Sequence, residues 1–281
     1  MEKSNQSLKG KVAVITGGGG VLCEVLAYAL AKEGAKVAIL DLNTDRAVEV
    51  AEKIKKQGGE AIGVEANVLQ KTSLIEAHQI VLDKLGACDI LVNGAGGNHP
   101  MGTTAKPFLE EGDLENEDLK TFFDLDTEGI KFVFDLNFIG SLLPTQIFAK
   151  DMVGKNGCSI INISSMNAFT PLTKIPAYSG AKAAISNFTQ WLAVHFSKMG
   201  IRVNALAPGF FLTEQNRSLL TNEDGSLTAR GTQVIEHTPL GRFGKPEDLV
   251  SSLLWLVSDE SSFVTGIVVP IDGGFSAYSG V

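Results

Sequence analysis

The sequence predicts an α/β fold: one domain built on a doubly wound parallel sheet of about seven strands, with helices on both faces. Two observations support the fold class, and the handedness of the crossovers supports a single domain. Short runs rich in Val and Ile alternate with stretches of helical length along the 281 residues. The runs are almost continuously apolar, which is typical of parallel strands covered on both faces. Because each right-handed crossover places its helix on a face of the sheet, no separate core is left for a second domain.

The first βαβ unit shows the pattern most clearly. The strand KVAVIT at 11–16 precedes a run of glycines. Residues 22–33 then present an apolar helical face, and Gly34 ends the helix before the next strand, KVAIL.

The same alternation continues toward the C-terminus. Further helices are predicted over about 44–57, 71–85, 178–198 and 246–258 and in the stretch ending LLPTQIFAKDMV, and further strands at Ala61–Glu65, Asp89–Val92, CSIINIS, IRVNALAP and GIVVPI. Two long segments interrupt this order. Residues 98–131 contain several Phe residues and are predicted to be an ordered insertion near the site. Residues 211–238, which are polar and poor in helix signals, are predicted to form a substrate loop.

Charge and composition exclude several classes of function. The chain has 24 Lys and Arg against 32 Asp and Glu, a net charge of −8, which disfavours nucleic acid and acidic membrane surfaces as partners. One local cationic pocket would still suffice for a small anion. The N-terminal segment lacks the apolar region of a signal peptide, and no uninterrupted apolar run approaches the roughly 18 residues of a membrane span. Cys23, Cys88 and Cys158 form no CxxC pair, so we expect no metal site and a cytoplasmic location.

A glycine-rich turn follows the first predicted strand. Residues Gly17 to Gly20 can direct free N–H groups and a helix N-terminus at a pyrophosphate. Asp41 ends the next strand about 24 residues after the first glycine, where a carboxylate accepts the ribose hydroxyls of an adenosine and repels a 2′-phosphate. The spacing therefore predicts NAD rather than NADP. The alternative is a flexible turn followed by a solvated aspartate.

A tyrosine and a lysine share one face of a later helix. Tyr178 and Lys182 lie four residues apart, after Ser165 at the carboxyl end of a strand. A phenol has a pKa near 10, but a lysine ammonium about 5 Å away lowers it by roughly two units. The phenolate can then remove an alcohol proton while hydride leaves for the cofactor. The alternative is an ordinary surface pair with a serine cap.

In their order and spacing, these motifs resemble the short-chain dehydrogenase/reductase family, from Lys11 to Phe275. The resemblance also covers the segments Asn93-Gly94-Ala95-Gly96, Asn137 in DLNFIG, Pro208-Gly209 and Asp272-Gly273-Gly274. It implies a Rossmann-like fold, NAD-dependent oxidation and reduction at a CH–OH group, and a homotetramer.

The resemblance implies a role for each matching residue. Tyr178 is the acid and base, Lys182 lowers its pKa and binds the nicotinamide ribose, Ser165 orients the substrate oxygen, Asn137 holds a water, and Asn93 braces the sheet. The cofactor-binding residues that it implies are Gly17, Gly19, Gly20, Val21, Leu22, Asp41, Leu42, Asn67, Val68, Asn93, Ala95, Gly96, Tyr178, Lys182, Pro208, Gly209 and Phe211.

The chain departs from the family pattern at the glycine turn. The second and third glycines of TGxxxGxG are Val21 and Cys23 here, and Cys23 adds a Cβ and a sulfur where the helix approaches the cofactor. Weakened cofactor affinity is therefore a hypothesis, and a catalytically silent nucleotide-binding module is the alternative from another functional class. Asn67 replaces the family's adenine-binding Asp, and Gly94 replaces the second residue of Asn-Asn-Ala-Gly.

The segments NGAGGNHPMGTT, TFFDLD and FDLNFIGSLLPTQ resemble a subgroup that interconverts D-mannonate and D-fructuronate. A gluconate 5-dehydrogenase-like enzyme, or another polyol or sugar-acid dehydrogenase, is the alternative. A sugar acid needs a cation for its carboxylate and short polar groups for its hydroxyls. The candidate substrate residues are Asn98, His99 and Asn167, with Thr103 and Thr104 nearby, and the candidate carboxylate partners are Lys106, Lys174 and Arg217.

Overall fold

Seven parallel strands form one sheet in this computed structural model, which describes residues 7–213 and 216–280. Their order across the sheet is β3-β2-β1-β4-β5-β6-β7. The bounds are Val12–Thr16 (β1), Lys36–Asp41 (β2), Glu60–Glu65 (β3), Ile90–Asn93 (β4), Cys158–Ile163 (β5), Ile201–Pro208 (β6) and Val268–Ile271 (β7). The predicted α/β fold with its doubly wound parallel sheet is therefore confirmed.

Helices connect the strands. Their bounds are Val21–Lys32 (α1), Thr44–Lys56 (α2), Lys71–Lys84 (α3), Thr127–Phe134 (α4), Gly140–Phe148 (α5), Pro176–Phe196 (α6), Arg217–Leu220 (α7), Ala229–Glu236 (α8) and Val250–Val257 (α9). Helix α6 begins two residues before the predicted start at 178, because Pro176 occupies the first turn, where its missing N–H costs no hydrogen bond.

Two apolar clusters cover the two faces of the sheet. One cluster joins α1, α2 and α9 through buried residues such as Leu26, Val50 and Leu253. The other joins α3, α5 and α6 through Leu74, Phe148 and Leu192. The strand order reverses between β1 and β4, and open α/β sheets bind ligands in the crevice at such a reversal.

One helical run, Thr127–Met152, is long and apolar enough by composition to cross a membrane. Half of its most apolar window is buried inside the protein, and α5 packs against α3 and β4. Charged residues, including Glu128, Lys131 and Asp135, interrupt the run. Its apolar character therefore reflects its position in the core of the α/β domain.

The two irregular segments contain short helices. Residues 98–126 contain three 3-10 turns, and residues 127–131 of the predicted insertion belong to α4. The predicted loop at 211–238 is less irregular than expected, since it includes α7 and α8. Thr228 caps α8 by accepting the N–H of Gly231 at 3.0 Å, a local signal that the low apolar content obscured. Residues 214 and 215 of this loop lie outside the described residues.

Candidate active site

The glycine turn joins the carboxyl ends of β1, β2 and β4. Gly17 has a φ of +62°, and a Cβ there would lie 2.8 Å from Ala95 Cα, so only glycine fits. The N–H of Gly19 donates to Asp41 Oδ2 at 3.0 Å, and the N–H of Asn43 donates to Asp41 Oδ1 at 2.9 Å. A carboxylate has about four acceptor positions, so Asp41 keeps capacity for two ribose hydroxyls.

Val21 and Leu22 form the first turn of α1, whose N-terminal amides have no partner within the helix. Cys23 is 5% exposed, and its thiol occupies the space that a Cβ on Gly94 would need. The two departures from the family pattern therefore compensate each other: the larger residue at 23 fits because residue 94 has no side chain. Burial raises the pKa of the Cys23 thiol to about 12, so the thiol is neutral beside the turn.

Asn93 lies at the end of β4 and is 1% exposed. Its amide donates to Thr145 Oγ1 of α5 at 2.9 Å and to Asn162 Oδ1 of β5 at 2.8 Å. Asn162 in turn donates to Thr189 Oγ1 of α6 at 2.9 Å. This buried chain links two central strands to the helices behind them.

Ser165, Tyr178 and Lys182 come together at the carboxyl end of β5. The Ser165 hydroxyl is close enough to the Tyr178 phenol to favour its charged form, and Lys182 Nζ lies 5.5 Å from the centre of the Tyr178 ring. Lys182 is 4% exposed and donates to the carbonyl of Ile163 at 2.8 Å. The hydroxyl, the phenol and the amine are thus arranged for proton transfer at one small substrate group.

The pKa of Tyr178 differs from the sequence-based prediction. The sequence predicts that Lys182 lowers it, but burial raises the pKa of Tyr178 above its usual value, and the nearby Ser165 hydroxyl offsets this rise only in part. Burial also lowers the pKa of Lys182 to about 8. The spacing of two residues on a helix does not reveal how strongly both are desolvated.

Asn137 lies in a π-helical turn, Asp135–Ile139, between α4 and α5. Its side-chain amide donates to the carbonyls of Gly97 at 2.8 Å and Val133 at 2.7 Å, and its oxygen accepts the N–H of Gly97 at 3.3 Å. A Cβ on Gly96 would lie 2.7 Å from Asn137 Oδ1 and 3.1 Å from Lys182 Nζ. Glycine at 96 therefore keeps open the space between these two polar groups.

The remaining predicted cofactor residues lie at or just after the carboxyl ends of β2, β3 and β6. Leu42 is 69% exposed beside Asp41, and Val68 is buried. Asn67 uses its side-chain oxygen to accept the N–H of Leu69 at 2.9 Å, which leaves its amide N–H groups for a ligand. At the end of β6, Pro208 is followed by Gly209, which lies so close to Asp272 that a Cβ would be 2.6 Å from Asp272 Cα.

Phe211 is 4% exposed with its ring against Gly244, so its backbone is the part available to a cofactor.

The structure places the candidate substrate residues in two groups. Asn98 donates to Thr103 Oγ1 at 3.0 Å, and His99 Nδ1 accepts the N–H of Met101 at 3.2 Å, so both stabilise one local turn. Asn167 is instead 6% exposed; its amide donates to Ser165 Oγ at 3.3 Å, and its oxygen accepts the N–H of Leu172 at 3.1 Å.

The three candidate carboxylate partners differ in their surroundings. Lys106 is bound by Glu110 at 2.6 Å and Asp113 at 2.7 Å, which makes it a poor partner for a substrate anion. Lys174 lines a groove of about 480 Å³ together with Arg230 and His237. Arg217 has an interaction partner of its own. Sequence reasoning missed Arg230, because no motif marks it. Within residues 7–213 and 216–280, no group of His, Cys, Asp and Glu could hold a metal ion.

Comparisons with known proteins agree with this geometry. A family model for short chain dehydrogenases matches residues 11–224. A structure from Haemophilus influenzae, described as a candidate D-mannonate oxidoreductase with bound NAD, has 57% identity and a TM-score of 0.95 and covers 99% of both chains.

More distant relatives extend the comparison. An uncharacterized oxidoreductase of Bacillus subtilis, UxuB, is 51% identical over 99% of both chains. A structure described as a candidate gluconate dehydrogenase, from Agrobacterium tumefaciens, has 27% identity and a TM-score of 0.83 and covers 98% of this chain and 99% of its own. The chain therefore belongs to the short-chain dehydrogenase family and is an oxidoreductase that acts on CH–OH groups.

Proposed function

We propose that this enzyme uses NAD to interconvert a secondary alcohol and a ketone of a sugar acid, and that the pair is D-mannonate and D-fructuronate. The observation that carries the reaction class is the convergence of Ser165, Tyr178 and Lys182 at the carboxyl end of β5. The relative with bound NAD, at 57% identity, supports the choice of substrate pair.

The preference for NAD rests on Asp41. Its carboxylate lies directly beside the glycine turn, where Gly19 donates to it at 3.0 Å. A 2′-phosphate placed there would face this negative charge, whereas two ribose hydroxyls can donate to it.

The reaction follows from the positions of the side chains. Bound NAD supplies the acceptor for the hydride that leaves the carbinol carbon. The Ser165 hydroxyl orients the substrate oxygen, and the Tyr178 phenolate accepts the proton of the substrate hydroxyl. In the reverse direction, the Tyr178 phenol returns that proton to the ketone oxygen.

Lys182 and Asn137 support this proton transfer. The cationic Lys182 is held at the Ile163 carbonyl, on the same helical face as Tyr178, so it favours the phenolate over the phenol. Asn137 lies across Gly96 from Lys182, and we assign to it the role of holding a water there.

Two alternative functions compete with this one. A gluconate 5-dehydrogenase-like activity is supported by the resemblance to the Agrobacterium tumefaciens structure at 27% identity. A catalytically silent module would need a glycine turn that Cys23 has closed, but the space at Gly94 accommodates this thiol. The intact Tyr178 and Lys182 arrangement also favours an active enzyme.

We further propose a homotetramer in the cytoplasm, with the whole chain as one domain. The family resemblance supports the tetramer. Three buried thiols without a disulfide, at Cys23, Cys88 and Cys158, favour a reducing compartment.

The test is a set of initial rates measured by nicotinamide absorbance. D-Mannonate, D-gluconate and D-altronate are each offered with NAD and with NADP, and D-fructuronate is offered with NADH. Selective turnover of the mannonate and fructuronate pair with the non-phosphorylated cofactor supports the proposal. Selective turnover of gluconate would replace it with the alternative, and binding of NADH without any turnover would support the silent module.

A further inference from the structure

A groove of about 480 Å³ is lined in part by segments that adjoin the proposed catalytic residues along the chain. One wall is the segment 170–174, which follows Ser165 and leads into α6 just before Tyr178. Helix α8 also lines the groove, from Ala229 to Val234 and on to His237 just after its last residue, and Phe210 lies next to Gly209 at the end of β6. The groove therefore adjoins the carboxyl ends of β5 and β6.

Asn167 fixes the first wall relative to the catalytic residues. Its amide donates to Ser165 Oγ at 3.3 Å, and its oxygen accepts the N–H of Leu172 at 3.1 Å. Because Asn167 is buried, these bonds are shielded from competing water. A ligand group bound at 170–174 thus has a defined position relative to Ser165.

The groove has an unusual charge for this protein. Its lining includes Lys174, Arg230 and His237 but no Asp or Glu, although the chain carries a net charge of −8. Neither Lys174 nor Arg230 forms a side-chain ion pair or hydrogen bond within the part of the chain that the structure describes. Lys106, on the neighbouring insertion, is already neutralised by two carboxylates.

The backbone at Lys174 adds an independent observation. Lys174 has a φ of +74°, and it is the one non-glycine residue with a positive φ among residues 7–213 and 216–280. This left-handed conformation is unfavourable for a side chain with a Cβ, and such strain concentrates at ligand sites. The N–H of Thr104 donates to the carbonyl of Lys174 at 2.9 Å and helps to hold this conformation.

We propose that Lys174 and Arg230, which both line the groove, together bind the carboxylate of the substrate. This inference rests on the proposed function and names the residues that would make the enzyme specific for sugar acids over neutral polyols. Arg230 offers a planar pair of N–H donors, and Lys174 supplies a second positive charge. The carboxylate end is then held in the groove while the reacting carbinol extends toward Ser165 and Tyr178.

The first test is the binding of D-mannonate to the enzyme–NADH complex, in which no hydride can leave the acid, measured by calorimetry. We expect Lys174→Met and Arg230→Met each to weaken binding by about 10- to 100-fold, since each removes a charge-assisted contact. Lys174→Arg and Arg230→Lys should restore part of the affinity. In turnover, the substitutions should raise KM for the acid far more than they lower kcat.

Lys198→Met is the matched control, because Lys198 is an exposed lysine in the 3-10 turn that follows α6. The affinity for NADH and the melting temperature, measured for every variant, show whether the fold and the cofactor site are intact. If the wild type binds D-mannonate and both groove variants bind it within twofold of Lys198→Met, the inference is overturned.

A different result would separate the inference from the proposed function. If the wild type neither binds nor converts any sugar acid, the proposed substrate is wrong. Titration with malonate, a carboxylate probe without sugar hydroxyls, then decides whether the groove is an anion site. If malonate binds to the wild type but not to Lys174→Met or Arg230→Met, the inference is supported. If malonate does not bind to the wild type, the inference is overturned.

Discussion

The Cys23 thiol occupies the volume that a side chain on Gly94 would need, at the point where α1 approaches the end of β4. The two positions depart from the family pattern in opposite directions, one larger and one smaller. Their contact explains how a cysteine fits in a turn where the family has glycine.

This contact predicts a coupled effect of substitutions at the two positions on the free energy of unfolding. Gly94→Asn alone should be strongly destabilising, because its Cβ meets the Cys23 thiol and would lie 2.8 Å from the Thr16 carbonyl. Cys23→Gly alone should be milder. The double variant should recover part of the loss, with a coupling of about 1–3 kcal/mol in a double-mutant cycle of unfolding free energies. Additive effects would show that the two side chains do not interact.

Cofactor selectivity is predicted to depend on Asp41. Asp41→Asn should weaken NADH binding by about 10-fold or more and strengthen NADPH binding, since it removes the charge that repels a 2′-phosphate. Fluorescence titration of both cofactors measures the ratio of the two affinities. Asp45→Asn is the matched control, because Asp45 is exposed at the start of α2 in the same turn. An unchanged ratio in Asp41→Asn would argue against the assigned role.

Buried Lys182 is predicted to make stability depend on pH. Burial lowers its pKa from 10.5 to about 8, so at neutral pH the folded protein keeps a charge that the unfolded chain would hydrate better. This buried charge lowers the free energy of unfolding most strongly below pH 8. The effect disappears as pH rises through 10.5, because Lys182 loses its proton at a lower pH in the folded state than in the unfolded chain.

The measurement is urea unfolding of the wild type and Lys182→Met across this pH range. Because both proteins share their other titrating groups, their difference isolates Lys182. The difference between the two pKa values of Lys182 corresponds to about 3 kcal/mol. The free energy of unfolding of the wild type should rise by this amount relative to that of Lys182→Met as pH rises from below 8 to above 10.5. A difference that does not vary with pH would refute the assigned pKa.

The raised pKa of Tyr178 predicts opposite pH dependences for the two directions of the reaction. Alcohol oxidation needs the phenolate, so its kcat/KM should increase with pH through the neutral range. Ketone reduction needs the phenol, so its kcat/KM should stay constant through the neutral range and fall only at alkaline pH. The measurement is kcat/KM as a function of pH, determined from initial rates for each direction without added product. An oxidation rate that is already constant at neutral pH would mean that the pKa of Tyr178 is lowered instead.

The strands and most helices could be predicted because their signals are local. The Val and Ile runs of β1 to β7 and the four-residue spacing of Tyr178 and Lys182 are visible along the chain. Three features were not predictable in the same way. These are the fit of Cys23 to Gly94, the desolvation of Tyr178 and the position of Arg230 in the same groove as Lys174. Each depends on segments that are distant in sequence and meet only in the folded protein.

The role of Tyr178 in proton transfer is tested most directly by measuring the consumption of NADH with D-fructuronate by the wild type and by Tyr178→Phe. Tyr28→Phe is the control, because Tyr28 lies on α1 and its hydroxyl contacts Glu24. We expect the wild type and Tyr28→Phe to consume NADH, and Tyr178→Phe to bind NADH normally while its rate falls by at least about 100-fold. Turnover by Tyr178→Phe at the rate of the wild type would contradict the assignment of Tyr178 as the group that carries the proton.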